Sequence, residues 1–258
     1  MRSLYMLTKN LSFSFFSKKK YIAIVYYVYI NPDKDWKKVI LGQIDDIKKT
    51  KILSVADLYI VVSNPFGVEN VEMFFGGISN IYKNIEFHRE NRFEYWGISF
   101  IWRLAQESKR YKYLIYFHTK GMTHNENARI ITEEVLTYYT FHDWKFFVKI
   151  LDQNSKINKI GLFPAWKIND QCEILRGGWI WYNFWWARAD YVKILEQPKI
   201  DPKHRYYYEE WLSCVTTNTI NKFHDGFSIY NMDISSYTNK ETLENMKELI
   251  ERHDMDRK

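Results

Sequence analysis

The sequence predicts an α/β fold built on a mostly parallel, Rossmann-like sheet flanked by helices. Apolar runs rich in β-branched and aromatic residues, which are typical of buried strands, alternate with segments of helical spacing up to residue 121. Strand, helix and strand at this spacing form a βαβ unit, in which the two strands are parallel. With 258 residues, 46% of them hydrophobic, the chain can bury a sizeable core in a single domain.

The first half of that domain, residues 20–121, carries the clearest pattern. Its longest apolar runs end at a proline or a polar turn, and each helical segment has one apolar stripe. In chain order we predict a strand over 21–30, a helix over 36–49, strands over 58–62 and 85–88, a helix over 93–109 and a strand over 113–117.

The second half, residues 122–230, is richer in aromatic residues and less regular. A leader, residues 1–19, precedes the domain, and an amphipathic helix that opens with the capping box Thr238 to Glu241 follows it over 231–258. Within the second half we predict a helix over 128–151 and a short strand over 160–163. The segment 176–188 should begin with a glycine turn and continue as an aromatic strand. Helices are predicted over 189–196 and 205–217.

Charge and cysteine content limit the ligands and the cellular location that we expect for the protein. The net charge of +6 suits an anionic ligand, but acidic residues interleave with the basic ones, so we expect no nucleic-acid partner. The two cysteines form neither a disulfide framework nor a zinc pattern, which favours a reducing, cytoplasmic location. No segment has the length of a membrane span, and the leader's lysines follow its apolar part, unlike a secretory signal. Peripheral membrane contact through the leader stays open.

The stretch that runs into His118-Thr-Lys120 is the strongest candidate for a site. It follows the buried strand over 113–117, and ligands of open α/β sheets bind just beyond such strand ends. His118 and Lys120 are two residues apart and point the same way, which suits a phosphorylated ligand. Arg129 could add a bidentate cation. The alternative is an exposed lysine beside a histidine bonded to backbone.

Two further stretches carry candidate side chains. In the aromatic run after Gly178, Trp179, Trp181 and Trp185 share one face by parity, and Asn183 needs a hydrogen-bond partner if buried. They either line a sugar pocket or fill the core.

On the helix over 205–217, Glu210 lies opposite the apolar face and Glu209 lies at its flank, so either carboxylate could act as a general base. A solvated helix surface is the alternative. The chain has no P-loop, no G-x-G-x-x-G, no H-E-x-x-H and no G-x-S-x-G.

Three motifs, in this order, resemble those of nucleotide-sugar glycosyltransferases of the GT-A type, and more narrowly the rhamnan-synthesis-F-like transferases of polysaccharide gene clusters and large viruses. They read YFHTKGM over 116–122, GGWIWYNFWWAR over 177–188 and YYYEEWL over 206–212. The turn NRFEYWG over 91–97 is also similar to the donor-side turn of that family.

The resemblance implies a GT-A-like fold with a nucleotide-binding half over 20–121 and an acceptor half over 122–230. It implies transfer of a sugar from a UDP- or dTDP-linked donor to a glycan or other hydroxyl acceptor, as in polysaccharide biosynthesis, with Glu210, or less favourably Glu209, as the base of an inverting displacement. The expected donor-binding residues are Tyr29, Asn31, Ser63, Asn64, Asn91, Glu94, His118, Lys120 and Arg129. The expected acceptor-binding residues are Trp179, Trp181, Asn183 and Trp185.

The sequence departs from the family at the metal site. Many GT-A enzymes hold Mn²⁺ or Mg²⁺ with two aspartates at this strand end, where the present chain has His118 and Lys120. We therefore expect no required metal cofactor, with the lysine supplying the positive charge, although another carboxylate could still recruit a divalent ion. The rival functions are a non-catalytic carbohydrate-binding domain, a basic nucleic-acid-binding module and, because it too uses two carboxylates, a glycoside hydrolase.

Overall fold

The computed structural model describes residues 20–120, 122, 129–165, 178–202, 206–216, 226–229 and 248. The predicted leader over 1–19 lies outside the described residues, as does the predicted terminal helix over 231–258 except at residue 248. Gly121 and Gly177, which belong to the motifs above, also lie outside them.

One mixed sheet organises the described part of the chain, and a second, two-stranded sheet packs beside it. The strands are β1 (Ile22–Tyr29), β2 (Ala56–Ser63), β3 (Asn84–His88), β4 (Tyr113–His118), β5 (Lys159–Gly161), β6 (Pro164–Ala165), β7 (Trp179–Ile180), β8 (Trp185–Arg188) and β9 (Gly226–Ser228). The large sheet has the order β3-β2-β1-β4-β8-β5-β9, and β6 pairs with β7. Among the described strands of the large sheet, only β8 runs against the others. The predicted fold class, a mostly parallel Rossmann-like sheet flanked by helices, is confirmed.

Helices cover both faces of the sheet. They are α1 (Trp36–Lys49), α2 (Val71–Gly76), α3 (Tyr95–Glu107), α4 (Ile131–Phe141), α5 (Trp144–Gln153), α6 (Ala189–Lys193) and α7 (Tyr207–Glu210). One hydrophobic core lies between the sheet and α1, α4 and α5, and the other lies between the sheet and α3 and α6. Within the described residues, no helix has both the length and the apolar character that crossing a bilayer demands.

The residues of β1 explain why the first strands read as continuous apolar runs. Ile24 and Tyr26 enter one core, while Val25 and Tyr27 enter the other. A parallel strand covered on both faces has no solvated side, so apolar and polar residues do not alternate along it. The strands and helices predicted before residue 121 are found with ends shifted by at most two residues, apart from the added helix α2.

Three predictions for the second half were wrong. The helix over 128–151 is two helices, because Asp143 begins α5 in a non-helical conformation. The aromatic strand is interrupted at Trp181–Asn183, where Tyr182 and Asn183 have positive φ angles of 67° and 55°. The helix over 205–217 consists of α7 and a 3₁₀ turn in the described residues. Each error comes from extending a periodic pattern across a turn. That turn is maintained by contacts with distant parts of the fold.

Candidate functional site

The candidate site lies where β1 and β4 end side by side. The chain leaves β1 towards β2 and returns on the other side as β4, so the strand order reverses between them. This is the position at which open α/β sheets form a ligand crevice. The Thr119 Oγ1 atom accepts a hydrogen bond from the Tyr29 backbone N–H at 2.9 Å, and the Asn31 amide donates to the Met122 carbonyl at 2.7 Å. These two bonds hold the strand ends together.

Four ionisable side chains form what we call the switch-point cluster: Glu94, His118, Lys120 and Glu209. They come from the start of α3, the end of β4 and the single turn of α7. The side chain of His118 is 9% exposed and that of Glu94 is 18% exposed, while Lys120 and Glu209 are half-buried. The fold therefore joins parts of the two predicted halves around one lysine.

Both carboxyl groups of the cluster resist ionisation. Burial raises the pKa of Glu94 above its usual range, against the opposing effects of Lys120 and of hydrogen bonds from Asn183 and Tyr116. Burial also raises the pKa of Glu209; Lys120 opposes this rise, and the nearby Glu94 adds to it. The charge of Lys120 thus acts on two partly desolvated acids. Such poised groups are more frequent at functional sites than elsewhere.

His118 is an uncharged member of the cluster. Burial and the neighbouring Lys120 ammonium lower its pKa to about 3, although the Tyr182 carbonyl acts in the opposite direction. Its neutral ring donates from Nε2 to that carbonyl at 2.8 Å. His118 therefore holds the turn after β7 and adds no positive charge to the site.

The left-handed turn at Tyr182 and Asn183 is fixed from several sides. The Asn183 amide donates to Glu94 Oε2 at 2.8 Å and to the Tyr208 carbonyl at 3.0 Å, and its oxygen accepts from Trp185 Nε1 at 3.2 Å. Non-glycine residues with positive φ are uncommon, and they occur where neighbouring contacts over-determine them. The turn sets the Tyr182 ring 5.0 Å from Lys120 Nζ.

Aromatic side chains continue the site across the carboxyl ends of β1 and β2. The Tyr29 ring lies 6.3 Å from the Phe66 ring, and Asn91 Nδ2 lies 3.4 Å from the Tyr29 hydroxyl. Phe66 is 59% exposed. A cleft of about 550 Å³ opens between the loop after β2, the start of α2 and the end of β3, and the residues on either side of Phe66 line it. The rings of Tyr29 and Phe66, beside this cleft, offer flat surfaces to a planar ligand.

Three predicted donor residues support loops with their side chains. Asn64 accepts from the Val68 N–H and donates to the Val68 carbonyl, both at 2.9 Å. Asn31 bonds to Met122 and accepts from the Asp33 N–H at 3.0 Å. The fully buried Ser63 donates to the Glu90 carbonyl at 3.0 Å. They shape the strand ends, and their side-chain polar groups are already engaged.

The position of Arg129 corrects its expected role on a diphosphate. Its guanidinium binds Glu133 through two hydrogen bonds, at 2.7 and 2.8 Å, and Asp46 of α1 at 2.8 Å. These partners lie in the helical layer on the other face of the sheet from Glu94. A guanidinium with two carboxylate partners tethers α4 to α1, and we leave Arg129 out of the site.

The predicted acceptor face is also corrected. Trp185 is fully buried and stacks on Tyr116 with ring centroids 5.5 Å apart, so it has no face for a sugar. Trp179 is 5% exposed, while Trp181 is partly buried. Asn183 does reach the cluster, through Glu94. Most of the predicted sugar platform is therefore core, because the interrupted strand turns its rings inward.

Glu209, the less favoured of the two predicted bases, is affected by the charges of Lys120 and Glu94. Sequence reasoning did not select Tyr182 for the site, because parity assigned it to the core face. A tyrosine-asparagine pair inside an aromatic run was the available signal of a turn. The exposed Phe66, in its turn-like segment, was also overlooked.

His118 and Lys120, which stand where many GT-A enzymes have aspartates, do not fit the role of ligands to a divalent cation. A protonated lysine cannot ligate a metal and would repel one, and the neutral His118 ring already donates to a carbonyl. In the described ranges, no group of three or more histidine, cysteine, aspartate or glutamate side chains has the arrangement of a metal site.

Comparisons with known proteins give weak structural likenesses. No family model matches the chain, and no curated protein matches it. Among solved structures, 4-diphosphocytidyl-2C-methyl-D-erythritol synthase from Anaerococcus prevotii DSM 20548 is 10% identical, with a TM-score of 0.37, over 90% of this chain and 99% of that one. The mannosyltransferase Ktr4p from S. cerevisiae in complex with GDP is 11% identical, with a TM-score of 0.33, over 77% of this chain and 63% of that one. At these scores the likenesses leave the function undecided.

Proposed function

We propose that the protein is a glycosyltransferase that moves a sugar from a nucleoside-diphosphate sugar to a hydroxyl acceptor. The observation that supports this most is the position of Lys120: an ammonium just beyond the end of β4, beside the strand-order reversal, whose charge acts on two acids with raised pKa values. A fixed cation there offsets the charge that develops on a departing diphosphate. The motif resemblance described above independently leads to the same reaction class.

In the proposed reaction, the acceptor oxygen attacks the anomeric carbon while the bond from that carbon to the diphosphate oxygen breaks. The diphosphate leaves with the bonding electrons and is stabilised by Lys120. Glu209 takes the acceptor's proton, and its raised pKa brings it nearer to the value that suits a base at neutral pH. Attack from the face opposite the leaving group inverts the anomeric configuration.

The donor nucleoside is proposed to rest on Tyr29 and Phe66. Neighbouring strands are spaced by about 4.8 Å, so the ends of β2 and β4, with β1 between them, lie about 10 Å apart. That separation suits a nucleoside at one end and its second phosphate at the other. Asn91 stands beside the Tyr29 hydroxyl as a polar contact for the base or ribose. UDP- and dTDP-linked donors are the first to test. This scheme uses no metal ion.

The decisive test is a thermal-shift screen of UDP, dTDP, GDP and their sugar conjugates on the wild type, Lys120→Met and Lys149→Met. Lys149 is an exposed lysine of α5 and serves as the charge-matched control. A ligand at 100 times its dissociation constant adds about 2.7 kcal/mol of stability. We expect that gain in the wild type and in the control, and its loss in Lys120→Met.

Release of nucleoside diphosphate from the best donor then measures turnover, with and without Mn²⁺. Stabilisation of all three proteins by the same nucleotides would remove Lys120 from the site. An absence of any nucleotide effect, together with glycan binding, would favour the carbohydrate-binding alternative. The extensive burial of the tryptophans weakens that alternative.

A further inference from the structure

The edge of the sheet opposite the switch-point cluster is strongly basic. Six cations precede the four parallel strands, and we call this surface the basic edge: Lys20 before β1, Lys51 before β2, Lys83 before β3, and Lys109, Arg110 and Lys112 before β4. Because parallel strands begin at the same edge, these residues form one strip. Four strands at about 4.8 Å spacing give the strip a length of about 15 Å.

At the centre of the strip, three cations share one carboxylate. Asp57 is 6% exposed, and its carboxylate lies 3.4 Å from Lys20 Nζ, 3.2 Å from Lys83 Nζ and 3.2 Å from an Arg110 nitrogen. A single negative charge cannot neutralise three positive ones. The side chains of the three cations remain 36%, 43% and 34% exposed, so the excess charge faces solvent.

Two exposed lysines at the flanks, Lys51 and Lys109, add to this excess. Lys112, whose side chain is 58% exposed, is paired with Asp152. A strip of exposed cations attracts anionic surfaces, and each lysine near an anionic bilayer adds about 1 kcal/mol to the attraction.

The sequence next to the strip indicates which kind of anionic partner the basic edge binds. Lys20 continues the run Lys18-Lys19-Lys20, and residues 11–16 before it read Leu-Ser-Phe-Ser-Phe-Phe. Phenylalanine and leucine next to lysine is the composition of segments that bind the interface of anionic bilayers. The cations of the basic edge would also suit nucleic acid, but these apolar residues would not.

We propose that the basic edge docks on the anionic surface of a lipid bilayer. β1 has eight residues and is about 26 Å long, so the switch-point cluster at its other end faces away from the lipid. The inference holds whether or not the protein transfers sugar. If it does, the acceptor's reacting end meets the enzyme well above the bilayer.

The test is co-flotation of the full chain with phosphatidylcholine vesicles that either contain or lack phosphatidylglycerol. One variant combines Lys51→Gln, Lys109→Gln and Lys112→Gln. The matched control combines Lys34→Gln, Lys37→Gln and Lys38→Gln, at the opposite edge around the start of α1. Both variants lose the same net charge.

We expect salt-sensitive binding of the wild type to the anionic vesicles alone. The basic-edge variant should bind them about 100-fold more weakly, which corresponds to three lysines at about 1 kcal/mol each. The control should stay within about threefold of the wild type. Equal loss in both variants, equal binding to neutral vesicles, or tighter binding to an oligonucleotide of the same charge density would overturn the proposal.

Discussion

Two charged clusters lie at opposite ends of the same parallel strands, and their carboxyl groups behave in opposite ways. At the basic edge, burial would raise the pKa of Asp57, but hydrogen bonds from Tyr111 and Lys83 and the charge of Arg110 outweigh it and lower that pKa. At the switch-point cluster, burial prevails, and the pKa values of Glu94 and Glu209 are raised.

The difference lies in the number of donors and cations for each acid. Asp57 accepts from the Tyr111 hydroxyl at 2.5 Å and has three cations within 3.4 Å. Glu94 and Glu209 have Lys120 as the cation that lowers their pKa values, and the neighbouring His118 is uncharged. The first arrangement stabilises the fold. The second disfavours the charged form of both acids, a pattern that is more frequent at functional sites than elsewhere.

The largest expected effect concerns the base. If the proposed function is correct, Glu209→Gln removes the proton acceptor and lowers kcat by about 10²- to 10⁴-fold. Glu210→Gln, one residue along, should keep kcat within about tenfold of the wild type. Steady-state release of nucleoside diphosphate measures both. If Glu210→Gln proved the more damaging change, the assignment of the base would be reversed.

His118 should make the protein sensitive to acid. Its pKa of about 3 in the fold lies below the ordinary value of 6.5, so only the unfolded chain takes up a proton between these values. Stability from this group is complete above pH 6.5 and is lost as the pH falls towards 3, by about 3 kcal/mol at pH 4. Urea denaturation at several pH values should show this loss in the wild type and in His142→Gln, and not in His118→Gln.

A direct observation complements that series. The imidazole resonances of His118 should not titrate between pH 8 and pH 4, because the ring stays neutral. Titration near pH 6.5 would contradict its burial against Tyr182 and Lys120.

Asp57→Asn should destabilise the fold by about 2 kcal/mol, the size expected when a hydrogen-bonded charge is removed. Because the folded pKa of Asp57 is lowered, its contribution is present above the ordinary aspartate value and disappears as the pH falls through the folded value. Chemical denaturation measures the effect. Asp45→Asn, which loses an exposed pair with Lys48, should change stability by less than about 0.5 kcal/mol. An equal loss of stability in Asp57→Asn and Asp45→Asn would contradict the greater contribution expected of Asp57.

The smallest effect has the opposite sign. Glu209→Gln should stabilise the protein at neutral pH by about 0.5–1 kcal/mol, the range of substitutions that relieve a strained site. A raised folded pKa means that wild-type stability falls as the pH rises from the ordinary glutamate value through the folded one. The gain should therefore vanish in acid. Asp57→Asn and Glu209→Gln changing stability in the same direction would break the contrast between the two clusters.

The first half of the fold could be predicted from the sequence because its signals are local. The apolar run of β1, the stripe of α1 over 36–49 and the turn after β2 each depend on neighbouring residues. The position of Lys120 also followed, since the carboxyl ends of parallel strands meet at one edge.

The tertiary structure decided what depends on contacts between distant residues. Asn183 reaches Glu94, 89 positions earlier, and this bond supports a left-handed turn that no periodicity predicts. Arg129 binds Asp46 of α1, which commits it to the scaffold. Burial and the charge of Lys120 both affect Glu209, which lies on the single turn of α7. Sequence periodicity specifies which face of an element is apolar, but the pairing of a charge or an amide depends on the neighbour that the completed fold brings to it.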